Sequence, residues 1–309
     1  MTTFLIRRLL QAIVVIFGVS VIVFLALFAT GNPARLMLPP EATQQEVDEL
    51  THQLGFDRPI YLQYASFISN AVRGDFGNSL WYHEPAGALV LERLPATVEL
   101  AFSGLLLAVV CAVPLGVLAA VRRGRWVDTV TQFLVTIGQS VPIFWLGLVL
   151  ILVFSVNLHL LPTSGRGTWQ QLVLPAVTLA AYSIARLTRL TRSGMLEVLG
   201  QDYIRTARAK GLPERAVIYR HGLRNALIPL ITYLGLEFGG LLGGAVVTEV
   251  IFSWPGVGRL AVDAIFNRDF PLVQAVVFLV AITFVVINLI VDLLYPIIDP
   301  RIRFGVIKS

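Results

Sequence analysis

Long uninterrupted runs of apolar residues alternate with short polar segments along this chain. Six of these runs reach about the twenty residues that an α-helix needs to cross the hydrocarbon core of a bilayer. They are residues 9–29, 100–121, 129–158, 167–185, 226–248 and 270–291. The pattern therefore predicts an all-α membrane protein with six transmembrane helices.

Two of the runs have special features. The third is longer than one crossing requires and contains Pro142, which has no amide proton to donate inside a helix. We expect a kinked or tilted helix there, with its last residues above the membrane. The first run follows Arg7 and Arg8, exceeds the apolar core of a signal peptide and has no convincing cleavage site after it. It is predicted to be a retained anchor helix.

Residues 30–95, between the first two runs, are too long for a plain connection and contain eight acidic against four basic residues. Thr43 and Glu46 have the spacing of a capping box, and Gly55 ends the helix that they start. Pro59 opens a second predicted helix, which Gly74 ends. This partly helical outer segment is either a lid packed on the bundle or a docking surface for a soluble partner.

Composition supports a membrane location. Of the 309 residues, 56% are hydrophobic and 14% are charged, whereas soluble domains carry about 25% charged residues. We expect a single transmembrane domain over residues 1–309. Cys111 is the single cysteine, so an intrachain disulfide and a cysteine-rich metal site are both excluded.

The excess of basic residues predicts the direction of the spans. Segments 1–8, 122–128, 186–225 and 292–309 carry 17 of the 24 lysine and arginine residues. Basic residues concentrate on the cytoplasmic side, so both termini are predicted to be cytoplasmic, with the basic segments close to lipid headgroups. The formal charge of +5 is thus explained by topology, and nucleic-acid binding is not expected.

Motifs of catalytic sites are missing from the sequence. It has no Gly-x-x-x-x-Gly-Lys-Ser/Thr loop for nucleotide phosphates, no His-Glu-x-x-His and no Gly-x-Ser-x-Gly. We therefore predict that the chain is not an enzyme, has no catalytic residue, metal site or cofactor of its own, and depends on other polypeptides for any ATPase activity.

The cytoplasmic segment 195–225 has the most informative sequence. Asp202 is expected to cap a short helix over residues 203–210, which Gly211 ends and Pro213 keeps from continuing. A short exposed helix between two spans suits contact with a protein, although a basic loop that touches lipid headgroups would have the same composition. The order of the residues favours the protein contact.

That order is DYIRTARAKGL over residues 202–212 and RHGLRNALIP over residues 220–229. Other motifs are Arg7-Arg8, GDFG at 74–77, FSWPGVG at 252–258 and DPRIR at 299–303. Together they resemble the dipeptide and oligopeptide ABC importer permeases, a family that also includes nickel and glutathione permeases of the bacterial inner membrane. The resemblance implies the type I importer fold.

In this family two homologous permeases pair, usually as a heterodimer, two ATPase subunits bind ATP and Mg, and an extracytoplasmic solute-binding protein delivers cargo. The resemblance assigns ATPase coupling to Asp202, Tyr203, Arg205, Thr206, Ala207, Lys210, Gly211 and Leu212. It assigns support of the coupling loop to Arg220, His221, Arg224 and Asn225. The general importer signature starts with a glutamate that this chain lacks, since Arg205 stands there, so contact through that carboxylate is excluded.

Polar residues and glycines within the spans are further candidates. Glu237 falls in the middle of the fifth run, where a charge is costly unless it faces protein or water. It is either a residue of the cargo pathway or a buried carboxyl with a structural hydrogen bond, and Asn288 in the sixth run is treated in the same way. Gly235, Gly239 and Gly243 repeat every four residues and predict a close helix interface, toward the partner permease.

The function predicted from these patterns is that of a transmembrane permease subunit of an ATP-driven importer for dipeptides or oligopeptides. Nickel or glutathione cargo in the same class of importer is the alternative. An ion-driven secondary transporter is less favoured, because such a protein would need several ionisable groups at the midplane and only Glu237 is clearly there.

Overall fold

The computed structural model describes residues 2–29, 34–35, 38, 41–53 and 55–298, and this part of the chain is almost entirely helical. The helices before the third predicted span are α1 (Thr2–Ala29), α2 (Gln44–Gln53), α3 (Ile60–Val72) and α4 (Ala86–Val121). The later helices are α5 (Trp126–Ser140), α6 (Ile143–Leu150), α7 (Trp169–Leu199), α8 (Asp202–Ala209), α9 (Glu214–Ala216), α10 (Arg224–Ile251), α11 (Val257–Phe266) and α12 (Phe270–Ile298). Two π-helical stretches, Ile151–Asn157 and Val217–Leu223, continue α6 and α9.

Five described helices are long and apolar enough to cross a membrane, and the number rises to six if α5 and α6 form one span. These spans correspond to the six predicted apolar runs. Most of the helices extend beyond the uncharged run, and α7 continues to Leu199 although the apolar run ends at residue 185. Such extensions carry charged residues and are invisible to a count of uncharged positions.

The third run breaks more sharply than expected. A bend of 102° separates Trp126–Ser140 from Ile143–Asn157, where a kinked or tilted helix had been predicted. Val141 and Pro142 both have extended backbone conformations at the break. Proline disfavours a helical conformation at the residue before it and donates no hydrogen bond itself, so two helices replace one.

The helices of the outer segment start and end as predicted. The backbone N–H of Thr43 donates to Glu46 at 2.7 Å, and the N–H of Glu46 donates to the Thr43 hydroxyl at 3.4 Å, which is a reciprocal capping box. Hydrogen bonds from the backbone N–H and the hydroxyl of Thr43 to the Glu46 carboxylate hold the pKa of that carboxyl below its usual value. Pro59 precedes α3, and Gly74 after it has a φ of +77°, a conformation that favours glycine.

The described chain clusters into two compact units. The first contains residues 1–97 and 255–290, and the second contains residues 98–254 and those after 290. In the first unit, α3 packs on α1 through a hydrogen bond of 2.7 Å between the hydroxyls of Ser20 and Tyr64. Tyr64 also meets the ring of Phe24 edge to face at 5.3 Å. A segment of the outer loop is thus packed against the first span.

Asp269 is a polar anchor in the core of the first unit, and sequence reasoning did not single it out. It is fully buried, accepts hydrogen bonds from the Ser79 hydroxyl and the Trp81 backbone N–H, and accepts another from the Leu272 N–H in the first turn of α12. The carboxylate therefore caps a helix and fixes the outer loop at the same time.

The second unit is built around α7, which packs against α5, α6 and α10. It comes close to α4 at Gly116, where an added Cβ would lie 2.6 Å from the Cβ of Thr191 and 2.8 Å from the carbonyl oxygen of Thr188. Only glycine permits this separation of the helices. The DPRIR motif at 299–303 lies outside the described residues.

Candidate functional site

The predicted coupling helix is present as α8, Asp202–Ala209, and it is amphipathic. Ile204 and Ala207 are buried in a cluster with Val217, against which Val198 and Leu199 pack. The other coupling candidates are all exposed: Asp202, Tyr203, Arg205, Thr206, Lys210, Gly211 and Leu212. The helix is thus attached to the bundle by its apolar face and presents a polar face to solvent. Ala207 belongs to the attachment.

The ends of α8 differ in one respect from the sequence interpretation. Asp202 is the first helical residue, Gln201 occupies the N-cap and no side-chain cap is formed, so the capping role expected for Asp202 is not observed. The C-terminal end is as expected, because Gly211 has a φ of +74° and Pro213 follows. Asp202 in the first turn still has the favourable sign for a helix N-terminus.

An ion pair that the sequence did not predict closes the turn after α8. Arg208 donates to the two carboxylate oxygens of Glu214 at 2.7 and 3.2 Å. The hydrogen bonds from Arg208 lower the pKa of Glu214 below its usual value, and the same contact raises the pKa of Arg208. The pair joins α8 to α9 across the turn formed around Gly211.

The residues expected to support the coupling loop lie in continuous helix and not in a loop. Arg220 and His221 belong to the π-helical stretch Val217–Leu223, and Arg224 and Asn225 begin α10. The Asn225 side chain donates to the carbonyl oxygen of His221 at 2.8 Å. The coupling helix is therefore followed by a helix that runs directly into the fifth span.

A second ion pair links α5 and α7. Arg192 near the end of α7 forms two hydrogen bonds with Asp128 in the first turn of α5, at 2.7 and 2.8 Å. The backbone N–H of Gly124 donates to the same carboxylate at 3.0 Å. Sequence reasoning placed both charged residues on the cytoplasmic side but had no basis for pairing them.

Glu237 is buried and is part of a polar cluster between α7 and α10. The Ser183 hydroxyl donates to one of its oxygens at 2.6 Å, and the Arg186 guanidinium approaches the other at 3.8 Å. The carbon at the centre of that guanidinium lies 5.0 Å from the ring centre of Tyr233 and 5.6 Å from that of Tyr182. Glu237 thus has both a structural hydrogen bond and a charged neighbour.

Arg186 was assigned to the cytoplasmic segment because it is the first charge after an apolar run. Its contact with Glu237 places it beside the middle of α10 (Arg224–Ile251), within the helix that contains the predicted fifth span. The same face of α7 also carries Arg189 one turn later. The polar residues that recur every three or four positions after residue 185 could have indicated from the sequence that the helix continues with a polar face.

The remaining pathway and interface candidates have varied surroundings. The Asn288 side chain donates to the carbonyl oxygen of Phe284 in its own helix at 3.0 Å. An added Cβ at Gly235 would come within 2.0 Å of Val291, so Gly235 permits close approach of the last helix of this chain. Gly239 is buried. Gly243 is exposed and has no atom within 4 Å of an added Cβ.

Comparison with known families gives a direct result. Residues 112–304 match the family described as binding-protein-dependent transport system inner membrane component, and residues 1–101 match the N-terminal region of the same class of membrane component. The chain belongs to this family. As a permease of this kind it is a multi-pass inner membrane protein and not an enzyme, and ATP is bound by a partner ATPase.

Individual relatives cover the whole chain. The glutathione transport system permease protein GsiC of Escherichia coli (strain K12) is 46% identical over 305 residues, which are 98% of this chain and 100% of the relative. The protein of the same name from Shigella flexneri serotype 5b (strain 8401) has the same identity and coverage. Similarity therefore extends over both the outer segment and the coupling segment.

Solved structures support the fold. The inward-facing MetNI methionine ABC transporter matches with a TM-score of 0.58 and 20% identity, over 68% of this chain and 96% of that one. An amino acid ABC transporter crystallised with histidines matches with a TM-score of 0.51 and 17% identity, over 69% and 94% of the two chains. The prediction of an ABC importer permease fold is confirmed, and the family match favours an ATP-driven importer over an ion-driven secondary transporter.

Proposed function

We propose that this permease forms the translocation pathway of an ATP-driven importer whose cargo is glutathione. The supporting observation is the 46% identity, over 98% of this chain, to glutathione permeases. The relatives favour the glutathione alternative over the broader dipeptide and oligopeptide cargo expected from the sequence. The change is small in chemical terms, because glutathione is itself a tripeptide.

The helix α8 is proposed as the lever that couples the bundle to the ATPase. Its exposed residues offer charge and hydrogen bonds to a partner, while Ile204 on its opposite face is fully buried. Ile204 and Ala207 pack against Val217, which begins the π-helical stretch that leads into α10. A movement of α8 is therefore passed on to α10. The Arg208–Glu214 pair keeps the turn after the lever closed.

ATP acts on this lever by shifting a population. The ATPase dimer closes on ATP, α8 moves with it, and the bundle passes from an inward-facing to an outward-facing state that accepts cargo from the binding protein. Nucleotide biases the two states because the ATP-bound partners have different affinities for them. Hydrolysis returns the bundle to its resting state.

The full assembly proposed is two homologous permeases, two ATPase subunits and a soluble binding protein on the outside. The family is binding-protein-dependent, so an extracytoplasmic partner and an ATPase are expected of every member. The pairing with a distinct second permease and the cytoplasmic location of both termini rest on the sequence resemblance and on the distribution of basic residues.

Cargo is tested by uptake of radiolabelled glutathione into cells whose own glutathione importers are deleted and in which this permease is expressed with its partners. We expect ATP-dependent uptake that unlabelled glutathione competes and that excess dipeptide or nickel does not. Uptake of labelled dipeptide or nickel in place of glutathione would replace the cargo proposal and leave the importer assignment in place.

The lever is tested at Gly211. Valine there must adopt a left-handed backbone conformation, which costs of order 1–2 kcal/mol, so Gly211→Val is expected to abolish uptake while the permease is still inserted. Gly211→Asn should retain activity, because asparagine tolerates this conformation. The matched control is Gly124→Val, because Gly124 also has a φ of +74° and no neighbour within 4 Å. Equal loss in both valine variants would contradict the lever.

A further inference from the structure

The exposed face of the cytoplasmic half of α7 is entirely polar. From position 182 to 197 the exposed positions are Tyr182, Arg186, Arg189, Ser193 and Glu197. They recur every three or four residues, which places them on one narrow face of the helix. The opposite face, which includes Leu187 and Met195, is fully buried.

A neighbouring helix shows what a lipid-facing surface looks like in the same protein. From position 102 to 121 the exposed positions of α4 are Phe102, Leu106, Val110, Pro114, Leu115, Leu118 and Val121. None of them is polar. Because a charge facing hydrocarbon is strongly unfavourable, the polar face of α7 must face water or protein in the assembled transporter.

Arg186 is the charge on this face that lies deepest in the bundle. Its side chain is 44% exposed, whereas the Glu237 side chain beside it is 9% exposed. The distance of 3.8 Å to Glu237 is an ion-pair contact and is longer than a hydrogen bond. The rings of Tyr182 and Tyr233 border the guanidinium. The group is thus oriented by its neighbours and is still accessible.

This environment suits recognition of a carboxylate. A guanidinium can donate two parallel hydrogen bonds to a carboxylate, and its planar shape is held well by stacking on aromatic rings. Glu237 offsets the charge of the Arg186 guanidinium through one carboxylate oxygen, and its other oxygen accepts a hydrogen bond from Ser183. An incoming anion can therefore approach the exposed side of Arg186 without breaking the hydrogen bond between Ser183 and Glu237.

We propose that Arg186 binds the C-terminal carboxylate of the cargo inside the translocation pathway, with Tyr182 and Tyr233 beside it and Glu237 orienting it. The exposed polar residues after Arg186 on α7 extend this water-facing surface toward the cytoplasm. This proposal rests on the importer function and specifies the cargo chemistry at one point: a peptide-like molecule with a free C-terminal carboxylate, such as the glycine carboxylate of glutathione.

The test is transport by the complete importer in liposomes with ATP inside and the binding protein outside. Maximal rates are measured at saturating glutathione and at saturating glutathione ethyl ester, whose glycine carboxylate is blocked. In Arg186→Gln we expect the glutathione rate to fall by about tenfold, as for loss of a charge-assisted hydrogen bond, and the ester rate to change less than about twofold. Arg186→Lys keeps the charge but loses the two parallel hydrogen bonds and the stacked plane, so we expect a glutathione rate between those of the wild type and Arg186→Gln, again with a smaller change for the ester.

Three results would overturn the proposal. Equal losses for glutathione and its ester would mean that Arg186 has a structural role only. Unchanged rates for both cargoes in Arg186→Gln would mean that the cargo does not use this side chain. Loss of the second permease on co-purification of Arg186→Gln would show that the polar face is a subunit contact. Should Arg186→Gln fail to insert, the ratio of the two rates in Arg186→Lys decides.

Failure of the cargo proposal is distinguishable from failure of this one. If the wild-type importer carries no glutathione, the same comparison is made with alanyl-alanine and its C-terminal amide, which differ in the same way at the carboxylate. A selective loss of the acid cargo in Arg186→Gln would then support the site while replacing glutathione. No selective loss for any carried cargo rejects the site.

Discussion

Among the described residues, Asp128 and Arg192 form a largely buried ion pair between α5 and α7. Their side chains are 8% and 24% exposed. Because each guanidinium nitrogen that donates has its own carboxylate oxygen, neither group retains a large uncompensated charge. Such a pair orders two helix ends more than it adds net stability.

Removal of one partner should be costly. Asp128→Asn leaves the Arg192 guanidinium largely buried without its counter-charge, and we expect a loss of roughly 2–4 kcal/mol, seen as a lower Tm of the purified permease in mild detergent. The control is Asp202→Asn, since the pair of Asp202 with Arg205 is 94% and 76% exposed and should contribute almost nothing. Similar Tm values for the two variants would contradict the role given to Asp128.

Acid should open the turn after the coupling helix. Arg208 lowers the pKa of Glu214 below its usual 4.5, so the ion pair stabilises the turn fully above that pH and is lost as the pH falls through the lowered pKa. At cytoplasmic pH the pair is intact. Amide hydrogen exchange of residues 210–216, corrected for intrinsic rates, should show protection that falls at acid pH in the wild type.

Glu214→Gln supplies the control for the acid effect. Its protection should already be reduced at neutral pH and should change little on acidification, because the titrating group is absent. The same acid-dependent loss in Glu214→Gln and in the wild type would assign the effect to a different residue.

Glycines show why elements can be predicted from the sequence while their neighbours cannot. The four-residue repeat of Gly235, Gly239 and Gly243 predicts that helices approach closely, but it does not say which helix approaches which glycine. Gly235 faces Val291 of the same chain, whereas Gly243 has open space around it. Within this one repeat, Gly235 therefore serves packing inside the chain, whereas Gly243 is open to a partner subunit.

Two substitutions separate these roles. Gly235→Ala forces the last helix away and should lower the stability of the permease by about 1–3 kcal/mol, measured as a fall in Tm. Gly243→Leu should leave the Tm of the isolated permease unchanged but reduce recovery of the second permease on co-purification. Full recovery with Gly243→Leu would remove this glycine from the proposed subunit interface.

Most helices were predictable because each signal is local. Apolar length gave the spans, and the Thr43–Glu46 capping box and the left-handed glycines gave the ends of the short helices. The 102° break at Val141 and Pro142 was not predictable in this way. Proline allows outcomes from a slight kink to a full break, and tertiary packing selects among them. The buried cluster at Glu237 was half predictable, since the carboxylate was evident but Arg186 was hidden by the rule that the first charge ends a span.

The molecule as a whole combines lipid-facing and water-facing surfaces, and the two are distinguished by their exposed residues. Exposed positions of α4 from residue 102 onward are apolar, and those of the cytoplasmic half of α7 are polar. Basic residues favour a cytoplasmic location for the coupling segment. Together these patterns predict which positions a water-soluble reagent reaches, and from which side of the membrane.

Single cysteines in a Cys111→Ser background test this arrangement. A membrane-impermeant maleimide should label Trp81→Cys in whole cells, and Ser193→Cys and Lys210→Cys only in inside-out vesicles. Leu106→Cys, equally exposed in the isolated chain but apolar in its surroundings, should react in neither, because maleimides need a thiolate and thiols in hydrocarbon do not ionise. Labelling of Lys210→Cys from outside would invert the proposed topology. Labelling of Lys210→Cys without Ser193→Cys would keep the topology and show that the polar face of α7 is covered by protein, with no aqueous route to Arg186.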